Sequence, residues 1–155
     1  MVITEYGKYL LDDKKFLDYF HKFEGKSYNS FDRKFTIREF LKLVEHLSGD
    51  TVECGAYKWA TSYLILENIP ASKDHHIFDS WEGLSKPGKE DGDYWGESSL
   101  TTSEEIIREN LKSFPNAHFY KGWIPTRFAE VEGKEISFLH IDVDHVPGPP
   151  GLDGA

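Results

Sequence analysis

The chain is poor in the residues that several classes of protein depend on. It has one cysteine, Cys54, among 155 residues, which excludes an internal disulfide framework and a cysteine zinc site. Eighteen basic against 27 acidic side chains give a net charge of −9, so the basic surface that binds a nucleic-acid backbone is missing. Charges interrupt residues 1–20 too often for a signal peptide or a membrane span. We therefore expect a cytoplasmic protein that binds neither nucleic acid nor membrane.

Aromatic residues, by contrast, are plentiful at 15%, which favours a folded chain of one domain. Residues 1–48 are predicted to form a helical extension with two apolar stripes, Phe16, Phe20 and Phe23 in the first and Ile37, Phe40, Leu41, Val44 and Leu47 in the second. Thr36 and Glu39 are spaced as a capping box for the second helix, which we expect Gly49 and Asp50 to end.

Four short β-type runs follow, at residues 51–54, 75–78, 117–121 and 136–141. Helical patterns separate them at residues 57–68 and 102–113, the second beginning with the capping-box spacing of Thr102 and Glu105, and a short helix precedes the fourth run. This alternation predicts an α/β fold with a parallel sheet over residues 49–145. Residues 146–155 are a tail rich in proline and glycine that we expect to be disordered.

Ligands of such sheets bind beyond the carboxyl ends of the strands, and acidic residues stand there. Glu53 and Gly55 end the first strand in a turn that lacks the further glycines of a dinucleotide fingerprint, and Asp79 ends the second. An acidic residue at the end of a second strand suits the hydroxyls of a ribose, although Asp79 could equally cap its own turn.

The fourth strand ends in Asp142-Val-Asp144, and alternation places both carboxylates on one side of the chain. Such a pair can bind Mg²⁺, or divide into a metal ligand and a general base, or simply be solvated. His140 lies within the apolar run and is better suited to the core or to supporting a ligand residue. His75 and His76 point to opposite faces of a strand, and we assign them no function.

A long polar loop spans residues 80–100 and carries Trp81, Tyr94 and Trp95. Loops of this length in a compact domain are usually lids or disordered, and its aromatic residues favour a lid over the substrate or cofactor.

Five segments together resemble the macrocin O-methyltransferase (TylF/MycF-like) family: VECGAYKWATS, FDSWEGL, DGDYW, HFYKGWIPTRF and FLHIDVD, in that order, with the helix RKFTIREFLKLVEHL before them. The resemblance covers about residues 31–144. It implies a Rossmann-like class I methyltransferase with helices on both faces of the sheet, which uses S-adenosylmethionine and Mg²⁺ to methylate a sugar or other polar hydroxyl of a natural product or glycan.

The resemblance also implies a role for each matching residue. Glu53 and Gly55 correspond to the motif that approaches the methionine part of the cofactor, and Asp79 and Ser80 to the ribose-binding region. Gly122 and Trp123 correspond to the segment that encloses the adenine. Asp142 corresponds to a metal ligand, and Asp144 to the general base on the substrate hydroxyl.

The sequence departs from the family at two points. Trp59 stands where the family usually has glycine, and the resemblance stops at Asp144, before the family's remaining strands and the rest of its metal site. We therefore expect a C-terminally incomplete domain in which residues 136–141 form an exposed strand edge. Such edges pair with other chains, which predicts a homo-oligomer or marginal stability.

Two alternatives to a methyltransferase stay open. Asp-x-Asp at a strand end also binds the metal and nucleotide sugar of glycosyltransferases, although that class has no need of the Glu-x-Gly turn. The chain could also be an inactive methyltransferase fragment that binds cofactor weakly or not at all. Neither the composition nor the motifs identify the hydroxyl acceptor.

Overall fold

A computed structural model describes residues 11–24, 30–86 and 96–143 of the chain. Its α-helices are α1 (Lys14–Phe23), α2 (Phe31–Val44), α3 (Ala60–Asn68) and α4 (Glu104–Leu111). Its strands are β1 (Asp50–Cys54), β2 (His75–Asp79), β3 (Ala117–Lys121) and β4 (Ile136–Ile141), and a 3₁₀ helix spans Phe128–Val131. No helix in these ranges is long and apolar enough to cross a membrane.

The strands form one parallel sheet in the order β3-β2-β1-β4, as the alternation of strand and helix patterns predicts. Each predicted β-run is confirmed to within one residue. Because the strands are parallel, Cys54, Asp79, Lys121 and Ile141 all end at one edge, and Asp50, His75, Ala117 and Ile136 all begin at the other. The sheet thus has a carboxyl edge and an amino edge with different side chains.

The two faces of the sheet are covered differently. One face packs against the α-helices through two core clusters, one built from α1, α2 and α3 and the other from α3 and α4 with Ile77 of β2. The opposite face holds a smaller cluster of Val52, Cys54 and Phe78, against which Val131 of the 3₁₀ helix packs. Cys54 is a buried free cysteine, as expected of a small apolar residue in a strand.

The prediction that the second apolar stripe packs into the core was only partly correct. Ile37 and Leu41 are buried, but Phe40 and Leu47 are exposed. Lys34 and Arg38 occupy the buried face of α2 in their place, because each finds a polar partner there: Lys34 donates to Thr61, and Arg38 pairs with Asp13, whose side chain caps α1. Partnered charges can replace apolar side chains at an interface that periodicity alone would assign to the core.

The predicted helix starts and stops also need correction. α2 begins after Ser30, so Thr36 lies inside it and its hydroxyl donates to the Asp32 carbonyl one turn earlier. The helix ends at Val44, well before Gly49. The cap of α4 is Ser103, one residue after the predicted Thr102, and its hydroxyl accepts from Ile106 N. Neighbouring hydroxyl residues compete for such positions, and the backbone path selects one of them.

β4 lies at the edge of the described sheet and pairs there with β1. Ile136, Leu139 and Ile141 of this strand are exposed. An exposed apolar edge favours pairing with another chain, so self-association stays a prediction.

Sedimentation of the chain at increasing protein concentration should show dimers or larger species. A Leu139→Lys substitution at the exposed edge should reduce their amount. A clean monomer that melts cooperatively would contradict it.

Candidate functional site at the carboxyl edge of the sheet

Backbone hydrogen bonds tie the chain segments together just beyond the carboxyl edge. Gly55 N donates to Phe78 O at 2.9 Å, and Gly122 N donates to Asp79 O at 3.0 Å. On the other side, Asp142 N donates to Cys54 O at 2.9 Å. The turns after β1, β2, β3 and β4 therefore form one continuous rim, which brings together Gly55, Asp79, Gly122 and Asp142 as the sequence predicts.

Asp79 organises the middle of this rim. Its Oδ2 accepts from Ala56 N at 2.8 Å and Tyr57 N at 2.9 Å, and its Oδ1 accepts from Trp81 N at 2.7 Å. Burial raises the pKa of this carboxyl, against the effect of these three N–H groups. The capping interpretation of Asp79 is thus correct for the described residues. Because Oδ1 accepts one of these bonds and Oδ2 two, Oδ1 keeps capacity for a further donor.

Ser80 and the segment after β3 complete this side of the rim. Ser80 is buried, and its hydroxyl accepts from Glu82 N at 3.2 Å. Trp123 is partly buried, and its indole N–H donates to Glu82 Oε2 at 3.2 Å. Glu82 thereby links Ser80 to Trp123, which places the predicted ribose and adenine segments side by side.

Glu53 lies beneath the rim and is wholly inaccessible to solvent. Its Oε2 accepts from Ser62 Oγ at 2.5 Å and lies 3.4 Å from His75 Nε2, whereas its Oε1 has no hydrogen-bond partner. Burial by itself would raise the pKa of the Glu53 carboxyl, but His75 and Ser62 hold it below the ordinary value. A buried carboxylate with one unpartnered oxygen is an unusual feature in a folded protein.

Lys34 and His140 also interact electrostatically with the Glu53 carboxylate. Lys34 was not singled out from the sequence, whereas His140 was expected in the core or in support of a ligand residue. Lys34 reaches from α2 to donate to Thr61 at the start of α3. Burial lowers its pKa, while the negative charges of Glu53 and Asp142 act in the opposite direction. His140 is the register partner of Glu53 on β4, and its Nε2 atom is buried without a hydrogen bond, 4.0 Å from Asp142 Oδ2.

The position of Lys34 in the sequence already indicated that its side chain would be buried. It precedes Ile37 by three residues and Leu41 by seven, so it lies on the apolar stripe of its helix. A lysine at such a position must find a buried partner or leave the core. His75 carried no comparable signal, because its neighbour Glu53 comes from another strand.

Gly55 is required by the path of the backbone. Its φ is +87°, and a Cβ atom there would lie 2.2 Å from the Asp142 carbonyl oxygen. Glycine therefore permits close contact between the β1–α3 turn and the end of β4, independently of any role in binding a cofactor. Trp59, which replaces the glycine expected later in this turn, packs against both helix-side clusters and so contributes to the core.

Several predicted features fall wholly or partly outside the described residues, among them the tail at residues 146–155, whose expected disorder stays a prediction. Asp144 lies outside them, so the pairing of Asp142 with Asp144 is a prediction that the structure leaves untested. Tyr94 and Trp95 of the predicted lid also lie outside them. Trp81, the third aromatic residue of that loop, is buried in the cluster of α3 and α4, so the expectation that it belongs to a lid was wrong. Its large ring packs in one cluster with Ile77 and Ile107, and its indole N–H is buried without a hydrogen-bond partner.

The described residues contain one group of three metal-ligating side chains that approach one point, and it is not at this rim. Asp50, Asp74 and His76 form it at the amino edge of the sheet. A strand of this length separates the two edges by about 13 Å. At the carboxyl edge Asp142 offers a half-exposed carboxylate, with 55% of its side chain accessible.

No protein-family model and no curated protein matches the chain. Among solved structures it is similar to the O-methyltransferase NovP, with a TM-score of 0.56 and 21% identity over 75% of this chain and 55% of NovP. It is also similar to CalS11, a calicheamicin methyltransferase, with a TM-score of 0.60 and 12% identity over 85% of this chain and 67% of CalS11. The chain thus spans roughly half to two thirds of the length of these proteins.

The fold is therefore the Rossmann-like α/β fold of these methyltransferases, as predicted. At these levels of identity the likeness establishes the architecture, and the activity has to be argued from the site.

Proposed function

We propose that the protein is an S-adenosylmethionine-dependent O-methyltransferase whose cofactor lies across the carboxyl edge of the sheet. The observation that carries the proposal is the continuous rim formed by the turns after all four strands, with Asp79 joining the turns after β1, β2 and β3 above the buried Glu53 carboxylate. Ligands of open parallel sheets bind at this edge. The shared fold with two methyltransferases supports the same assignment.

The residues present fit the cofactor in charge and hydrogen-bonding capacity. Asp79 Oδ1 retains an acceptor site for a ribose hydroxyl, and Ser80, Gly122 and Trp123 adjoin it. S-adenosylmethionine carries a positive sulfonium centre that supplies an electrophilic methyl group. The Oε1 atom of Glu53 has no hydrogen-bond partner, so it keeps acceptor capacity beneath the Gly55 turn. Because Glu53 is fully buried, we assign it an electrostatic and positioning role.

The acceptor in this proposal is a hydroxyl of a sugar or another polar natural product or glycan. A hydroxyl is a weak nucleophile until a metal ion or a base draws away its proton. We propose Asp142 as a ligand of Mg²⁺ and Asp144 as the base, in line with the resemblance to the macrocin O-methyltransferase family. Asp142 fits a hard cation through its accessible carboxylate, and its backbone bond to Cys54 fixes its place on the rim.

Titration calorimetry tests the cofactor. We expect S-adenosylhomocysteine and S-adenosylmethionine to bind with micromolar affinity, on the order of −8 kcal/mol, and nucleotide sugars not to bind. Asp79→Asn should weaken binding by about tenfold or more, because one of its two acceptor oxygens is lost. Asp18→Asn, at an exposed position on α1, is the matched control and should bind like the parent chain.

Urea unfolding of each variant separates loss of binding from loss of folding. Binding of a nucleotide sugar with Mg²⁺ in place of the methyl cofactor would support the glycosyltransferase alternative instead. A folded chain that binds neither class of ligand would refute the proposal for this chain.

A further inference from the structure

The amino edge of the sheet, opposite the proposed cofactor site, carries a second group of chemically active side chains. Asp50 begins β1, Asp74 immediately precedes β2, His76 lies within β2, and His118 lies beside it on β3. The rise of the strands places this group about 13 Å from the carboxyl edge. Nothing in the proposed methyl transfer uses it.

Three of these residues converge on one point. One ligand atom from each of Asp50, Asp74 and His76 lies within 4.8 Å of the others, and His76 Nε2 is 2.9 Å from Asp50 Oδ2. Ligand atoms around a tetrahedral zinc ion are about 3.3 Å apart, given metal–ligand distances near 2.0 Å. Small side-chain rotations would therefore bring the three atoms into coordination range.

His76 is already oriented as a metal ligand is. Its Nε2 faces the carboxylates, while its Nδ1 lies 3.0 Å from the Tyr120 hydroxyl, so the second ring nitrogen has the kind of partner that fixes a ligating imidazole.

His118 provides an independent observation. Its ring stacks on His76 with centroids 5.3 Å apart, and its Nε2 atom is shielded from solvent. That atom lies 3.0 Å from Asp74 Oδ1 but makes no properly oriented hydrogen bond. The His118 and Asp74 side chains are 40% and 41% exposed, so Nε2 can exchange this contact for a metal ion with little movement of the ring.

We propose that Asp50, Asp74 and His76 form a site for Zn²⁺ or a similar borderline divalent cation, with His118 as a candidate fourth ligand. The mixture of imidazole and carboxylate suits zinc better than Mg²⁺ or Ca²⁺, which prefer oxygen ligands alone. The bound ion would connect the starts of β1 and β2, and His118 would add the start of β3. These connections would stabilise the sheet.

One internal cation competes for the site. Lys134 Nζ lies 3.1 Å from Asp50 Oδ2, and its side chain is partly exposed. Zinc would have to displace this ammonium group, which can swing into solvent. Removal of the lysine should therefore strengthen metal binding, a gain that a damaged fold would not produce.

The experiment uses the full chain after treatment with a chelator. Zinc titrated by calorimetry should bind with one-to-one stoichiometry, and Co²⁺ should give the visible absorption of a tetrahedral complex. Zinc should also raise the melting temperature, because a ligand that binds the native state stabilises it. His76→Gln and His118→Gln should each weaken binding by about tenfold or more, and Lys134→Met should tighten it several-fold.

His21→Gln is the matched control, since His21 is an exposed histidine that also faces a carboxylate, that of Glu24. It should bind zinc like the parent chain. Absence of zinc binding below millimolar concentration would overturn the proposal. Binding that His21→Gln abolishes, or that His118→Gln and Lys134→Met both leave unchanged, would also overturn it.

Discussion

Gly55→Ala should destabilise the protein by about 3 kcal/mol or more, well beyond the usual effect of a methyl group. Alanine at a left-handed φ costs about 1–2 kcal/mol, and overpacking adds about 1–3 kcal/mol. Both contributions apply here, since φ is +87° and the added Cβ would lie 2.2 Å from the Asp142 carbonyl oxygen. Urea unfolding followed by tryptophan fluorescence measures the change in the free energy of unfolding.

Gly133→Ala is the matched control. Gly133 also has a positive φ, +76°, but a Cβ atom there would meet nothing within 4 Å. It should therefore show only the backbone contribution of about 1–2 kcal/mol. The difference between the two variants isolates the contact between the β1–α3 turn and the end of β4. Equal losses of stability in the two variants would show that this close contact does not form.

The same contact links stability to the proposed function. If the methyl group added by Gly55→Ala forces the end of β4 away from the turn, Asp142 moves relative to the cofactor rim. Binding of S-adenosylhomocysteine by the Gly55→Ala variant should then weaken even under conditions where it stays folded. Gly133→Ala lies away from the rim and should bind as the parent chain does.

Glu53→Leu should cost about 3–5 kcal/mol of stability, which is typical when one member of a buried charged network is removed. The substitution deprives Ser62 and His75 of their acceptor, and it removes the attraction between the Glu53 carboxylate and the buried Lys34. Adding Lys34→Met should recover part of the loss, since an isolated buried ammonium group is no longer present. We expect a coupling free energy of about 1–3 kcal/mol between the two positions.

The exposed pair Glu109 and Lys112 provides the control cycle. Their side chains are joined by a salt bridge, but each is 70% exposed. Their coupling should not exceed about 0.5 kcal/mol. Additive effects at Glu53 and Lys34 would contradict the electrostatic link between α2 and the sheet.

The acid limb of the stability profile offers a second readout for Glu53. Folding lowers the pKa of its carboxyl, so the folded state binds fewer protons at this group than the unfolded chain does. Its contribution is therefore complete above the ordinary glutamate value of 4.5 and is lost as the pH falls through the folded pKa. Glu53→Leu should accordingly show a shallower loss of stability in acid.

The order of the helices and strands could be predicted from the sequence alone. Apolar spacing distinguishes helices from strands, and the alternation of the two dictates a parallel sheet whose carboxyl edge carries Gly55, Asp79, Gly122 and Asp142. These are local properties of the chain combined with general rules of topology. They require no knowledge of which side chains meet.

The tertiary structure decided everything that depends on partners distant in sequence. Lys34 and Arg38 are buried because Thr61 and Asp13 lie opposite them. Phe40 lies on the exposed side of α2, and Leu47 is exposed beyond the end of that helix. The unpartnered oxygen of Glu53 and the convergence of Asp50, Asp74 and His76 likewise arise only when separate strands align in register. Periodicity in the sequence predicts which residues share a face of one helix or strand. Which charged side chains meet depends on how the helices and strands pack together. Both proposed sites depend on such contacts between separate elements.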